Sequence, residues 1–285
     1  MKKFLLSLFA VISTLTFSFA QSPVRAKVAC CYPTATQRFA MLAADKKFVM
    51  AHPKPKATRF QSSIGKAITY TATDGKTAYA YELKAKRPTN SYLLVIHEYY
   101  GLNDYIKKES ETLYNQLGDV NVIALDLYDG KSSADRAEAA KLMQAVKEDR
   151  AQAIIKGAIA YAGPKARIAA IGWCFGGGWS LQTALLAGKQ SVACVMYYGM
   201  PEQDVAKLKT LNCDVLGNFG NKDQWINPKV VAGFEASMKA AGKNLTAYEY
   251  DANHAFANPS GDNYSSEAAK TANERTLTFL KAKIK

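Results

Sequence analysis

The pentapeptide Gly172-Trp173-Cys174-Phe175-Gly176 carries the clearest chemical signal in this chain of 285 residues. Its spacing is that of a nucleophile elbow, in which the reactive side chain stands on a sharp turn between a strand and a helix. A β-branched apolar run precedes it, and a helix-forming run follows. Cysteine stands where serine is usual, and the N-terminus of the helix favours a thiolate there. The alternative is a glycine-rich turn that holds a buried structural cysteine.

Two residues further along the chain have the types and positions of an acid and a base for this nucleophile. Asp223 follows the apolar run 215–217, and His254 lies in the loop after the short strand 248–250. Nucleophile, acid and histidine follow in this order in α/β-hydrolases. We therefore predict a triad of Cys174, Asp223 and His254 for acyl transfer, in which the histidine takes the proton of the thiol. The two other histidines of the chain are His52 and His97.

Strand and helix patterns alternate from residue 66 to the C-terminus and predict an α/β fold. A hairpin is expected over 67–83, with its turn at Asp74-Gly75. The further strands are predicted at 91–97, 120–127, 167–173, 191–198, 213–218 and 245–251. The helices are predicted at 103–117, 133–162, 177–188, 202–208, 228–241 and 265–283. Short apolar strands between helices indicate a mostly parallel sheet that is covered on both faces. Such sheets place their sites at the carboxyl ends of the strands, where the candidate residues fall.

The first 65 residues divide into two segments that precede the α/β domain, residues 66–285. Residues 1–20 join two lysines to an apolar run that ends in small residues, the pattern of a secretory signal peptide. Residues 21–65 are an extension rich in Ala, Lys and Pro, with one short helix around 35–48, which we expect to wrap the surface. We predict an exported protein, periplasmic or secreted, that has no membrane span and is a monomer.

Charge and motif content exclude several other classes of function. The formal net charge is +13, but the 37 basic residues are scattered and form no stripe with aromatic residues, so a nucleic-acid partner has no support. The sequence holds no dinucleotide fingerprint and no P-loop, and no pair of Cys or His has zinc-ligand spacing with a second pair. We therefore expect neither a cofactor nor a metal.

The five cysteines leave at least one thiol unpaired, and Cys174 is the best candidate for it. An exported chain can form disulfides. The sequence leaves the pairing of four cysteines open, namely Cys30, Cys31, Cys194 and Cys213.

Together these motifs make the chain resemble the dienelactone hydrolase family, the Cys-His-Asp branch of the α/β-hydrolases. The matching stretches are 95–103, 124–128, 172–178, 220–223 and 254–256. The resemblance implies a small-molecule ester or lactone as substrate and no cofactor. It also implies that Glu98 contacts the nucleophile, and that the backbone N–H groups of Tyr99 and Phe175 form the oxyanion hole.

Family members that act on dienelactone hold the substrate carboxylate with two arginines, and this chain departs from that pattern. The corresponding regions are residues 129–131 and 257–259, where Lys131 offers one charge without the planar fork of an arginine. The substrate is therefore left open. The alternatives to an ester hydrolase are a thiol-dependent acyl transferase or peptidase, and a non-catalytic exported binding protein on the same fold.

Overall fold

The computed structural model describes residues 33–52, 54–56 and 60–284. The predicted signal peptide, the first part of the extension and the neighbours Cys30 and Cys31 lie outside the described residues. Within the described ranges, no helix has both the length and the hydropathy that a bilayer span requires.

Eight strands form one sheet in the order β1-β2-β4-β3-β5-β6-β7-β8. The strands are β1 (Lys66–Thr71), β2 (Thr77–Leu83), β3 (Ser91–Ile96), β4 (Asn121–Leu125), β5 (Arg167–Trp173), β6 (Ser191–Tyr197), β7 (Asp214–Gly220) and β8 (Leu245–Tyr250). Strand β2 runs antiparallel to β1 and β4, and all other neighbours are parallel. The central strands are buried along consecutive residues, so both faces of the sheet are covered. The predicted α/β-hydrolase fold and its hairpin are confirmed.

The described α-helices are α1 (Ala35–Met41), α2 (Lys46–Met50), α3 (Asp104–Leu117), α4 (Arg136–Ala145), α5 (Glu148–Ala162), α6 (Phe175–Ala187), α7 (Val205–Leu208), α8 (Pro228–Ala241) and α9 (Ser266–Lys283). Side-chain N-caps explain where several of them begin. Asn103 caps α3, Asp135 caps α4 and Asn227 caps α8, and each side-chain oxygen accepts an N–H of the first turn.

The single helix predicted over 133–162 is two helices, which corrects that prediction. Val146 and Lys147 have extended backbone, with ψ of 118° and 134°, and they separate α4 from α5. The acidic pair Glu148 and Asp149 then stands in the first turn of α5, where negative charge is favourable at a helix N-terminus. The run of helix formers continues through this break, so the helical periodicity alone did not reveal the second helix start.

The elbow itself has the strained geometry that its glycines predict. Cys174 has φ of 55°, a conformation that is costly for a residue with a side chain, and it directly precedes α6. A Cβ on Gly172 would lie 2.1 Å from the carbonyl oxygen of Gly176, and one on Gly176 would lie 2.4 Å from those of Ile96 and His97. Glycine at both positions therefore lets α6 begin directly against the end of β3.

The described part of the extension packs into the core and does not merely wrap the surface. Helices α1 and α2 are joined by a 3₁₀ turn, Leu42–Ala44. Phe39 and Phe48 are fully buried, and α1 contacts α6, the helix that follows the elbow. The extension thus shares the hydrophobic core of the α/β domain.

Gly176→Ala is expected to destabilise the protein strongly, while Gly233→Ala is not. The new methyl group of Gly176→Ala meets three backbone atoms closer than 3.0 Å, which have little room to move. We expect the free energy of unfolding to fall by about 3 kcal/mol or more. In α8, the methyl group of Gly233→Ala meets only the side-chain amide of Gln203 at 2.9 Å. There the better helix propensity of Ala, about 1 kcal/mol, offsets a small shift of that side chain. Urea unfolding of both variants measures the difference, and equal losses would contradict it.

Candidate active site

The four predicted side chains of the site meet at the carboxyl edge of the sheet. Glu98 follows β3, Cys174 follows β5, Asp223 follows β7 and His254 follows β8. The parallel register of these strands brings their ends to one edge, as the alternating pattern predicted.

Cys174, His254 and Asp223 form one hydrogen-bonded chain. His254 Nδ1–H donates to Asp223 Oδ2 over 2.6 Å, and His254 Nε2 lies 3.3 Å from Cys174 Sγ. The other carboxylate oxygen of Asp223 accepts the backbone N–H groups of Trp225 and Ile226, at 2.8 and 3.0 Å. The acid is therefore held in one orientation and fixes the tautomer of the imidazole, so that Nε2 faces the sulfur.

Burial and charge act against each other at His254 and Cys174. Burial alone would lower the pKa of His254, but the carboxylate of Asp223 and the sulfur of Cys174 raise it well above the ordinary value. Burial raises the pKa of the Cys174 thiol, and His254 and the backbone N–H of Phe175 oppose that shift only in part. In this closed state the desolvation of the sulfur outweighs the helix dipole that the sequence led us to expect.

The loop that carries Tyr99 is fixed by His97 and Tyr128. His97 Nδ1–H donates to the carbonyl oxygen of Glu98 at 2.8 Å, while its Nε2 accepts the N–H of Leu127 at 3.1 Å. Tyr128 Oη–H donates to the carbonyl oxygen of Tyr99 at 3.2 Å. His97 is therefore a structural residue. The N-terminus of α6 lies next to this loop and places the N–H of Phe175 at Cys174.

The described hydrogen bonds of Glu98 go to residues other than the thiol that the resemblance implied as its contact. Its Oε2 accepts the side-chain N–H of Asn258 at 2.6 Å, and its Oε1 accepts the hydroxyl of Tyr198 at 3.3 Å. Burial raises its pKa to about 7, although both donors favour the carboxylate. Glu98 acts on Cys174 through its negative charge, which raises the pKa of the thiol.

His52, from the extension, takes the position beside the thiol. Its Nε2 lies 3.7 Å from Cys174 Sγ, and its Nδ1–H donates to the carbonyl oxygen of Phe48 at 2.7 Å. Its ring stacks on Tyr99 with centroids 4.3 Å apart. Burial lowers its pKa to about 3, so the ring is neutral. His52 is one of three histidines in the sequence, and it belongs to no motif that links it to the elbow.

The extension covers the site with side chains of α2. The ring of Phe48 lies 5.1 Å from that of Trp225 and 5.9 Å from that of His254. Trp225 Nε1–H donates to Asp45 Oδ2 at 3.2 Å, which anchors the start of α2. Cys174 is only 1% exposed as a result. The extension thus covers the side of the site on which Trp225 and His254 lie.

Two further side chains bind the extension just after α2. Tyr100 Oη–H and Arg136 Nε–H both donate to the carbonyl oxygen of His52, at 2.7 and 2.8 Å. Arg136 is a cation near the site that the sequence analysis did not consider, because it lies beyond the region compared with the family's arginines. In the closed state its guanidinium is engaged by the extension.

The remaining cavity beside Glu98 has a volume of about 30 Å³, room for one water. Its described lining includes His52, Asn258 and the acidic residues Glu98 and Asp262, and no Lys or Arg belongs to that described lining. Lys131 lines a separate groove with Tyr79 and Arg150. The structure thus gives no support to Lys131 as a replacement for the family's substrate-binding arginines.

One group of potential metal ligands is found among the described residues: His52, Cys174 and His254. Ligand spacing in the sequence does not reveal this group, because its members come from three distant segments.

Known proteins resemble this chain across the domain that holds the site. The sequence model of the Dienelactone hydrolase family matches residues 77–284. A carboxymethylenebutenolidase of Pseudomonas sp. (strain P51) is 28% identical over 207 residues, 66% of this chain and 83% of the relative. That of Pseudomonas putida is 26% identical over 237 residues, 76% of this chain and 96% of the relative. The crystal structure of dienelactone hydrolase from Anabaena variabilis shares the fold, with a TM-score of 0.58 and 15% identity over 81% of this chain and 100% of that one.

Phe48→Ala is expected to make Cys174 accessible to small thiol reagents. Truncation of a buried Phe removes about 3–5 kcal/mol of packing, and here the lost contacts hold the extension closed. We expect iodoacetamide to alkylate Cys174 at least about tenfold faster, because local opening becomes more frequent. Peptide mass spectrometry separates Cys174 from the other four cysteines. Met41→Ala, on the same extension but 60% exposed, is the matched control and should react like the wild type. Equal rates in all three proteins would show that the extension does not limit access.

Proposed function

This chain belongs to the dienelactone hydrolase family and is a hydrolase of esters or lactones, and we propose that Cys174 is its nucleophile, with His254 as base and Asp223 as the residue that orients it. The observation that carries this proposal is the hydrogen-bonded chain Asp223–His254–Cys174, with distances of 2.6 and 3.3 Å. It has the order of roles and the contacts that a nucleophile, a base and an orienting acid need.

In the first half of the reaction, the sulfur of Cys174 attacks the carbonyl carbon while Nε2 of His254 holds the proton of the thiol. The tetrahedral oxyanion lies at the N-terminus of α6, where the backbone N–H groups of Phe175 and Tyr99 donate to it. Loss of one such donor costs about 3–4 kcal/mol in other acyl-transfer enzymes. The carbon–oxygen bond then breaks, His254 gives its proton to the leaving oxygen, and a thioester of Cys174 remains.

In the second half, water replaces the leaving group. His254 Nε2 takes a proton from the water, whose oxygen attacks the thioester carbonyl. The carbon–sulfur bond breaks, the proton passes to the sulfur, and the carboxylic acid leaves. The reaction needs no group besides water and these side chains. Before the first step the extension must open, because Cys174 is closed off in the described state.

We propose that Glu98 maintains the resting thiol. Its negative charge raises the pKa of Cys174, which disfavours the thiolate that oxidants attack. As part of the proposal, a substrate that changes the surroundings of Glu98 lets the same carboxylate assist the removal of the thiol proton. The proposal is supported by its burial and by its bonds to Asn258 and Tyr198, which hold it near the elbow.

Neutral esters or lactones are the substrates that the local charge favours. Asn258 donates a hydrogen bond to Glu98 at the position where a basic side chain would neutralise the carboxylate. The described cavity lining includes the acidic residues Glu98 and Asp262. A substrate carboxylate would enter an acidic surrounding. As part of the proposal, the enzyme is exported and acts as a monomer; the pattern of residues 1–20 supports the export.

Cys174→Ala is expected to lower turnover of a neutral aryl ester by about 10³-fold or more, because the covalent step is lost. His254→Ala should lose about as much, and Asp223→Asn less, because orienting a base contributes less than supplying one. Cys213→Ala, which lies at the opposite end of the sheet, is the control and should keep wild-type rates. Stopped-flow release of the aryl alcohol measures all four variants.

The same assay separates the alternatives. A burst followed by steady turnover supports a hydrolase, whereas turnover that depends on an added acceptor supports a thiol-dependent transferase. Absence of a burst in the wild type, with a Phe48→Ala chain equally silent, would favour the non-catalytic binding protein and contradict the proposal.

Glu98→Gln is expected to lower turnover and to remove one component of the pH dependence of stability. The pKa of Glu98 is about 7 in the folded protein, against an ordinary value of 4.5. Its contribution to stability is therefore full below pH 4.5 and is lost as the pH rises through 7. At about 1.4 kcal/mol per pKa unit, the wild type should lose about 3 kcal/mol between these limits.

Urea unfolding at pH 5 and pH 8 measures this component in both proteins. The Gln variant should show a smaller loss than the wild type, and it should remain folded at both values. If the Gln variant loses as much stability as the wild type between the two pH values and keeps wild-type turnover, Glu98 does not have the proposed role.

A further inference from the structure

Three donor atoms from three segments converge at the elbow. Nε2 of His52 comes from the extension, Sγ of Cys174 from the turn after β5, and Nε2 of His254 from the loop after β8. The ligand atoms of these residues lie within 4.8 Å of one another, and all three residues are buried. The proposed hydrolysis uses only two of them, which leaves the Nε2 of His52 without a catalytic task.

The separations of these atoms fit one tetrahedral metal ion. The sulfur lies 3.7 Å from His52 Nε2 and 3.3 Å from His254 Nε2. With a zinc–sulfur bond of about 2.3 Å and zinc–nitrogen bonds of about 2.0–2.1 Å, tetrahedral angles place sulfur and nitrogen about 3.5 Å apart. The two observed sulfur–nitrogen distances lie on either side of that value, and the two imidazole nitrogens lie within 4.8 Å of each other.

The second nitrogen of each imidazole is already fixed as it is in metal sites. His52 Nδ1–H donates to the carbonyl oxygen of Phe48, and His254 Nδ1–H donates to Asp223. Ligating histidines usually donate their other N–H to a carbonyl or a carboxylate in this way, which orients the lone pair toward the metal. A histidine that served only to fill space beside Tyr99 would not require this orientation toward the sulfur.

We propose that His52, Cys174 and His254 form a binding site for a single Zn²⁺ ion that inhibits the enzyme and holds the extension closed. One thiolate and two imidazoles are a donor set that zinc accepts, and three protein ligands leave a fourth position for water. Binding displaces the proton of the thiol, and that of His254 where it is protonated, to the solvent. The ion occupies the space between nucleophile and base, and it links the extension to the domain through His52.

The inhibition and the closure follow from the same three bonds. With zinc bound, the sulfur has no free lone pair directed at a carbonyl, and His254 has no free Nε2. Opening the extension removes one of the three ligands, so zinc and an open site oppose each other. This regulation does not depend on which ester or lactone the enzyme hydrolyses.

Titration of the full-length chain with Co²⁺, followed by displacement with Zn²⁺, tests the site. We expect one ion per chain, a thiolate-to-cobalt charge-transfer absorption and the d–d bands of tetrahedral cobalt. His52→Gln keeps a polar side chain of similar reach but offers a poor ligand, and it should weaken binding at least about tenfold, since even the loss of an outer partner of a ligand costs 10–100-fold. Cys174→Ser should remove the charge-transfer band.

Two controls keep the result interpretable. Cys30 and Cys31 also offer thiolates, so the Cys30→Ser/Cys31→Ser chain serves as the background and should retain the cobalt spectrum. Zn²⁺ should protect Cys174 from iodoacetamide in this chain but not in its His52→Gln variant, whose fold is checked by circular dichroism. Chelation should reverse both the protection and any inhibition of hydrolysis.

No stoichiometric binding in the background chain, or equal binding by a folded His52→Gln variant, would overturn the proposal. The cobalt spectrum does not depend on turnover. An intact spectrum in a protein without esterase activity would therefore contradict the proposed hydrolysis and leave the metal site standing, whereas esterase activity without the spectrum would do the reverse.

Discussion

The close approach of α6 to the end of β3 is the constraint on which the rest of the site depends. Gly176 lies so near the carbonyl oxygens of Ile96 and His97 that no side chain fits there, and Cys174 must adopt a positive φ to make the turn. This strain is sustained by the buried strands around it. It sets the sulfur beside the loop of Glu98 and Tyr99, and it directs the first N–H of the helix to the same place.

For the proposed nucleophile, Cys174, burial sets protection of the thiol against its reactivity. The extension buries the sulfur, which raises the pKa of the thiol and weakens it as a nucleophile. The energy that keeps the extension in place comes from Phe39 and Phe48, whose burial removes large apolar surfaces from water. The hydrogen bonds to Asp45 and to the carbonyl oxygen of His52 fix the orientation of the extension in this packing. The proposed activation is therefore coupled to the extension, which shares its hydrophobic core with the α/β domain.

The positions of Cys174, Asp223 and His254 could be predicted because they depend on local and topological rules. Each follows a strand, and parallel strands end at one edge, so chain order alone brought them together. His52 could not be found in this way, since its position depends on how two short helices dock against α6 and Trp225. The bond between Glu98 and Asn258 was missed for the same reason, because it joins two loops whose side chains meet only in the folded protein.

The two buried carboxylates of the site show how the fold assigns different states to the same chemical group. Asp223 keeps a lowered pKa despite its burial, because His254 and two backbone N–H groups stabilise its charge. For Glu98, desolvation outweighs the hydrogen bond from Asn258, the charge of His254 and the hydroxyl of Tyr198, so its pKa rises to about 7. Environments that shift the pKa values of two carboxylates in opposite directions are typical of sites where one group orients a base and another exchanges a proton. An arginine at position 258 would stabilise the charge of Glu98 and lower its pKa, as His254 does for Asp223. With asparagine there, the hydrogen bond to Glu98 opposes the effect of burial only in part, and the pKa of this carboxyl stays raised.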